Sequence, residues 1–164
     1  MSTWTQPAPI GTLRVTIGPR GVTGIEFDAA PARDDDEPDG AVSKRLVAYF
    51  DGDLTALEPL EVDLGGVGGS RRRVYEELRA VPAGSTVGYG ELARMAGLEG
   101  PFSPRAVGQA MAANPMPLVV PCHRVIAADG SLGGFGAGLD TKRWLLAHEG
   151  VTPRHEPTLF SVDD

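Results

Sequence analysis

The first apolar pattern along the chain has a period of two. Leu13, Val15 and Ile17 alternate with other residues, Pro19-Arg20-Gly21 interrupts, and Val22, Ile25 and Phe27 follow. Successive side chains of a strand point to opposite faces, so the pattern predicts a β-hairpin with one buried face. The period then changes. Val42, Leu46, Tyr49 and Phe50 fall at i, i+4, i+7 and i+8, with Asp39 placed as an N-cap and Gly52 as a stop. That is the signature of an amphipathic helix. Leu57 to Leu64 reads as one more strand, and Gly65-Gly66-Val67-Gly68-Gly69 as a flexible linker and domain boundary.

After the linker the pattern is helical. Ser70 is placed to cap a helix whose buried stripe is Val74, Leu78 and Val81, ended by Pro82-Ala83-Gly84. Glu91 to Ala96 predicts a short helix closed by Gly97. Ser103-Pro104 is a start signal, an N-cap followed by Pro at the first helical position, for a helix running through Ala112 and ended by Asn114-Pro115. Two short helices with a tight connection suggest helix-turn-helix geometry. Leu118-Val119-Val120 predicts a short buried strand, and Asp140 caps a last helix that Gly150 stops. Residues beyond Pro153 read as a loose tail.

Composition narrows the class. The chain has 164 residues, too few for more than one ordinary domain or two small ones. It contains no run long and apolar enough for a membrane span, and its first residues lack the basic-then-apolar pattern of a secretory signal. One cysteine excludes an internal disulfide and a multi-cysteine zinc site, and fits a reducing, cytoplasmic setting. The net charge is −7, which argues against nucleic acid until it is divided. Residues 1–69 hold 5 Lys/Arg against 12 Asp/Glu, whereas residues 70–150 hold 9 against 7. Phosphate binding needs local rather than global positive potential, so the second half permits a DNA partner without demanding one. The acidic run Asp34-Asp35-Asp36-Glu37 reads as a solvated loop.

Three features carry candidate chemistry. On the Ser103 helix, Val107, Ala110 and Met111 form a core stripe, while Arg105, Gly108 and Ala112 form a second stripe of small residues led by an arginine. Glycine inside a helix costs about 1 kcal/mol against alanine, so something needs close approach there: another helix, or DNA with Arg105 projecting at the leading turn. The second feature is Pro121-Cys122-His123-Arg124. A thiolate is a nucleophile, and a neighbouring base or cation lowers a thiol pKa from about 8.5. Neighbouring side chains of an extended segment point apart, so a Cys122–His123 hydrogen bond needs a bridging water or a turn. On these residues alone, a buried structural cysteine is the simpler reading. The third is Glu149, in the last turn of its helix, where a carboxylate opposes the macrodipole by roughly 0.3–1 kcal/mol. It needs a partner or open solvent, and an acid that orients a histidine is a recurring device in nucleophile activation.

Taken together the residues resemble a known family. Arg105-Ala106-Val107-Gly108, Asn114-Pro115, Pro121-Cys122-His123-Arg124-Val125-Ile126 and Trp144-Leu145-Leu146-Ala147-His148-Glu149-Gly150 occur in order and at family-like spacing. Pro82-x-Gly84 and Tyr89-x-x-Leu92-Ala93 match as well. The chain thereby resembles the O6-alkylguanine-DNA alkyltransferases, the methylated-DNA–protein-cysteine methyltransferases. The resemblance covers most of residues 74–150, and more loosely the N-terminal hairpin and the helix ending Tyr49-Phe50.

The resemblance implies an α/β N-terminal domain over residues 1–66, RNase H-like with a small sheet plus a helix. A mostly α C-terminal domain with a winged-helix-like helix-turn-helix follows over residues 67–155, then a tail over 156–164. It implies a monomer acting on double-stranded DNA that carries O6-alkylguanine, without metal or cofactor. The recognition helix would enter the minor groove and flip the damaged nucleotide, because its alkyl group is unreachable inside a duplex. Cys122 would accept the alkyl group irreversibly, once per molecule. His123 would take the thiol proton through a water, with Glu149 orienting it. Tyr89 would rotate the base and hydrogen-bond its ring nitrogen, and Asn114 would hold the turn between helix and active-site segment. Arg105, as a finger in the vacated stack, would contact DNA with Ala106, Gly108, Ala112 and Arg124. Val125, Phe135, Gly136 and Tyr89 would frame the base pocket.

The chain departs from the family pattern in places. Gly88 stands where Ser is frequent, Ser70-Arg71 where a Phe-Gln pair is common, and Phe135 where Tyr is frequent. The connection from Leu98 to Pro104 is about two residues longer than usual. None of these removes a reacting group. Two other readings compete. A non-catalytic alkyltransferase-like lesion sensor has the same fold but replaces the cysteine, and a transcription regulator would use the helix-turn-helix alone.

Overall fold

Three antiparallel strands open the chain in the order β1 (Ser2–Ala8), β2 (Gly11–Gly18) and β3 (Gly21–Glu26). The structure is a computed structural model and describes residues 1–30 and 35–152. The expected hairpin is β2–β3, with a bulge at Thr16/Ile17. The hydrophobic pattern does not announce β1, because its inward positions are Trp4 and Gln6. The Trp4 Nε1–H donates to Gln6 Oε1 at 2.8 Å, so both polar groups are satisfied inside the core.

Helix α1 (Gly40–Phe50) is capped as expected, the Asp39 carboxylate accepting from the backbone N–H of Ala41 and Val42. The strand expected over Leu57–Leu64 is a series of turns, with a single bridge between Val22 and Val62. Arg79 explains the difference. Its guanidinium reaches the carbonyls of Leu57, Glu58 and Leu60, at 2.9 Å for the last, and also that of Val119 at 3.0 Å. Three of the segment's carbonyls are thus paired with a side chain, while Glu61 and Asp63 pair with the Val22 backbone at the bridge.

The remaining helices are α2 (Gly69–Arg79), α3 (Tyr89–Met95), α4 (Ser103–Ala112) and α5 (Leu139–His148). Two of the expected caps are displaced: Gly68, not Ser70, precedes α2, and Gly138, not Asp140, precedes α5. Ser103 is the first residue of α4 rather than its cap, and its hydroxyl donates back to the Gly100 carbonyl at 2.9 Å. Leu118–Val120 is buried but turns instead of running extended, with Leu118 at φ +77°. The short parallel pair β4 (Val87–Gly88) and β5 (Val125–Ile126) links the segment before α3 to the segment after Cys122.

Helices α3 and α4 pack directly on each other, and α2 supports both. The Tyr75 hydroxyl on α2 donates to the Ala110 carbonyl on α4 at 2.7 Å. One hydrophobic core runs from the sheet through α1 and α2 to α5. Among the described residues no helix is long and apolar enough to cross a membrane. The expected tail lies outside them.

Candidate active site

Pro121 precedes a single 3₁₀ turn, Cys122–Arg124, where an extended segment was expected. Three residues per turn fan the side chains apart, so the three neighbours face three surroundings. His123 and Arg124 are buried against Glu149, which is itself buried at the C-terminal cap of α5. Cys122 is also buried but opens onto cavities.

Glu149 is the hub. Its Oε1 accepts from Arg124 Nε at 2.9 Å, and its Oε2 from Arg124 Nη2 at 2.9 Å, from the Tyr49 hydroxyl at 2.6 Å and from His123 Nε2 at 2.8 Å. Burial alone would raise its carboxyl. The hydrogen bonds and charges of His123 and Arg124 outweigh that and hold it well below the usual carboxylate range. The unfavourable helix-end position is thus answered by a cation, Arg124. Arg124, expected among the DNA contacts, is instead turned inward. Its guanidinium is buried, paired with Glu149 and bonded to the Val81 carbonyl at 2.7 Å.

An ionised carboxylate can only accept, so His123 Nε2 carries the proton and Nδ1 bears the lone pair. Nδ1 is buried and has no protein hydrogen-bond partner among the described residues. Burial depresses the imidazole against the pull of Glu149, so at neutral pH it is an uncharged base. Burial also raises the Cys122 thiol. The Asn114 side chain and the Lys142 charge favour the thiolate without reversing that direction. The nearest candidate cation in sequence, Arg124, is committed to Glu149, so the thiol at rest keeps its proton.

Asn114 ends α4 and shapes the next turn. Its Nδ2 donates to the Val120 carbonyl at 2.9 Å, and its Oδ1 accepts from the Met116 N–H at 3.0 Å. Tyr89, half-buried, opens α3 and backs onto the Gly-rich loop after β5. A Cβ on Gly133, at φ +70°, would lie 2.9 Å from the Tyr89 hydroxyl, so glycine is required there.

Two cavities meet at Cys122. One of about 190 Å³ is lined by Tyr89, Gly108, Met111, Ala112 and Gly134–Gly136. The other, of about 400 Å³, lies between the end of β3 with Phe27 and Asp28, the end of α4, and Phe135–Ala137. Phe135 and Gly136 line both. Val125 is not a wall of either, because it is fully buried in the β4–β5 pair. On α4, Arg105, Ala106 and Ala112 are exposed, Gly108 is half-buried, and Val107 and Ala110 are buried. The small-residue stripe therefore forms a surface that leads into the Cys122 cavity.

Two site residues, Tyr49 and Lys142, escaped sequence reading. Lys142 on α5 is fully buried, and its ammonium donates to the carbonyls of Val125 at 2.7 Å, Leu132 at 2.5 Å and Gly134 at 3.0 Å. Three donors meet three acceptors, tying β5 to the start of the Gly-rich loop, and burial pushes the group down to about 8. The signal was present: Lys142, Leu145, Leu146 and Glu149 fall at i, i+3, i+4 and i+7, which places the lysine in the buried stripe.

The site thus combines a cysteine lining a cavity, a buried His–Glu pair in the same segment, and the second of two packed helices, α3 and α4, along the cavity wall. The model of the 6-O-methylguanine DNA methyltransferase DNA-binding domain matches residues 69–151. The chain belongs to this family. A "DNA base-flipping protein" of Thermus thermophilus is 44% identical over 149 residues, covering 88% of this chain and 97% of that one. A "methylated-DNA--protein-cysteine methyltransferase" of Salmonella typhimurium is 46% identical over 111 residues, covering 68% of this chain and 63% of that one. Among solved structures, Mycobacterium tuberculosis OGT in complex with DNA superposes with a TM-score of 0.76 at 36% identity, covering 92% and 93% of the two chains. This alkyltransferase-family chain shares with it an arrangement of small sheets and several helices.

Proposed function

We propose that the protein repairs DNA by transferring the alkyl group of O6-alkylguanine to Cys122. The observation that carries the reading is the position of the sulfur. It lies in the wall of a cavity shared by Tyr89 and the small-residue face of α4, with an uncharged His123 held by Glu149 behind it. A guanine everted from the minor groove enters past Gly108 and Ala112, and exposed Arg105 takes its place in the stack. Cys122 Sγ attacks the alkyl carbon in line with O6. The S–C bond forms, the C–O6 bond breaks, and the thiol proton passes through a water to His123 Nδ1. Guanine departs as an anion hydrogen-bonded by Tyr89, and the proton taken up by His123 is passed on through water to the guanine ring nitrogen, which leaves the neutral base and resets the imidazole. The thioether has no second thiol in the chain to regenerate it, so each molecule acts once.

Finer assignments belong to the same proposal. The partner is duplex DNA with an O6-alkylated guanine, bound by a monomer; Tyr49, Cys122, His123 and Glu149 all come from one chain. A free thiol at the site suits a reducing, cytoplasmic compartment. We read residues 1–66 as an RNase H-like half and 67–155 as a winged-helix-like half. The glycine-rich run 65–69, leading into the first residue of α2, supports that division.

The second reading is lesion binding without transfer, which the name of the Thermus relative keeps in view. Mass spectrometry after incubation with duplex DNA containing O6-methylguanine decides between them. Transfer adds one CH₂ equivalent to the Cys122 peptide and is lost in Cys122→Ala. Tight lesion binding with no mass gain would reverse the conclusion.

A further inference from the structure

Tyr49 is a hundred residues from Glu149 in the chain, yet its hydroxyl is 2.6 Å from Glu149 Oε2. It comes from α1, on the other side of the glycine linker from Cys122 and His123. His123 Nε2 uses the same carboxylate oxygen. A second bond locks this pair of elements: His148 Nε2 is 2.7 Å from the Tyr49 carbonyl, and the two rings meet edge to face at 5.1 Å. Adjacent residues of the last helix thus grip the backbone and the hydroxyl of one tyrosine.

Packing accounts for the ring but not for the oxygen, since a phenylalanine would make the same contacts with Phe50 and His148. We propose that Tyr49 is a positioning residue for alkyl transfer, its hydroxyl setting how much negative charge Glu149 offers to His123. The inference rests on the reading of His123 as proton acceptor. A carboxylate oxygen divides its charge among its donors, so a strong neutral donor on Oε2 leaves less for the imidazolium. Burial pushes the phenol up, and the charge and hydrogen bond of Glu149 push it further, so it stays protonated and remains a donor. The other groups acting on His123 are Arg124 from the 3₁₀ turn and Lys142 from α5, both cations that oppose its protonation, and Glu149, which favours it. Tyr49 acts on the same balance through the carboxylate.

The test is Tyr49→Phe in the full chain. The ring of His123 is followed by NMR against pH, in parallel with the rate of Cys122 alkylation by O6-benzylguanine. With one donor removed, His123 should titrate higher by about half a pH unit or more, and the acid limb of the alkylation rate should move with it. Replacing Tyr49 with 3-fluorotyrosine, a stronger donor in the same place, should shift both the opposite way. A His123 titration unchanged in both variants, with only a lower melting temperature in the first, would overturn the proposal. Failure of the wild type to alkylate at all would sink the alkyl-transfer reading instead, and the NMR titration would still decide the role of Tyr49.

Discussion

Arg124 and Glu149 meet through two hydrogen bonds of 2.9 Å each, with the carboxylate wholly shielded from solvent and the guanidinium nearly so. A bidentate pair in this setting fixes the carboxylate plane, and with it the direction from which His123 is held. It also removes from the surface an arginine that its position beside the cysteine would suggest for DNA.

Removing one partner of such a pair strands the other charge. Arg124→Met should therefore destabilise the fold by about 3–5 kcal/mol, read from urea unfolding. Arg105→Ala, on the exposed face of α4, should leave stability within about 0.5 kcal/mol. A surface-like cost at Arg124 would contradict its burial.

The same arginines should separate in function. If Arg105 supports base extrusion, Arg105→Ala should slow repair of duplex O6-methylguanine at least tenfold, about 1.4 kcal/mol, while reaction with free O6-benzylguanine is spared. Equal losses in the two assays would remove that role.

Acid should unfold the protein in two stages. The unfolded chain takes up a proton on His123 as pH falls through 6.5 and on Glu149 as it falls through 4.5, whereas the folded chain resists both. More protons on the unfolded state mean that stability declines as pH falls through these values. Glu149→Gln should be less stable at neutral pH and should lose less on further acidification. Denaturant midpoints at pH 7, 5.5 and 4 test this, and parallel curves for the two proteins would refute it.

Lys142→Met should untie the start of the Gly-rich loop from β5 and remove a charge that favours the Cys122 thiolate. Two readouts follow. Protease should cut the 130–138 segment faster, and iodoacetamide labelling of Cys122 should require higher pH than in the wild type. An unshifted labelling curve would leave Lys142 a purely structural anchor.

Gly133→Ala should displace Tyr89, because the new methyl group occupies the space of its hydroxyl and the backbone is left-handed there. The predicted result is a loss of alkyl transfer larger than the loss of stability. Gly97→Ala, also left-handed at φ +76° but with nothing within 4 Å of its Cβ and outside both cavities, is the matched control.

Much of this site could be read in the sequence because its key groups are clustered: Cys122, His123 and Arg124 are consecutive, and Glu149 lies at the end of a recognisable helix. What escaped was long-range pairing. The Tyr49 hydroxyl and the Lys142 ammonium have partners that no local period reveals, and the choice of Arg124 between Glu149 and DNA depends on which way a 3₁₀ turn aims it. In the fold, β1 was hidden because a buried Gln6 satisfied by Trp4 mimics a polar strand. Leu57–Leu64 has the apolar content of a strand, but the carbonyls of Leu57, Glu58 and Leu60 belong to Arg79.

The tether of Lys142 grips only main-chain oxygens of the loop, at positions 125, 132 and 134. Apart from the Phe135 ring, whose centroid lies 6.0 Å from the ammonium, and the space Tyr89 denies at Gly133, its hold does not depend on which side chains the loop displays. The cavity wall at Ala137 is therefore open to change while the anchor stays the same.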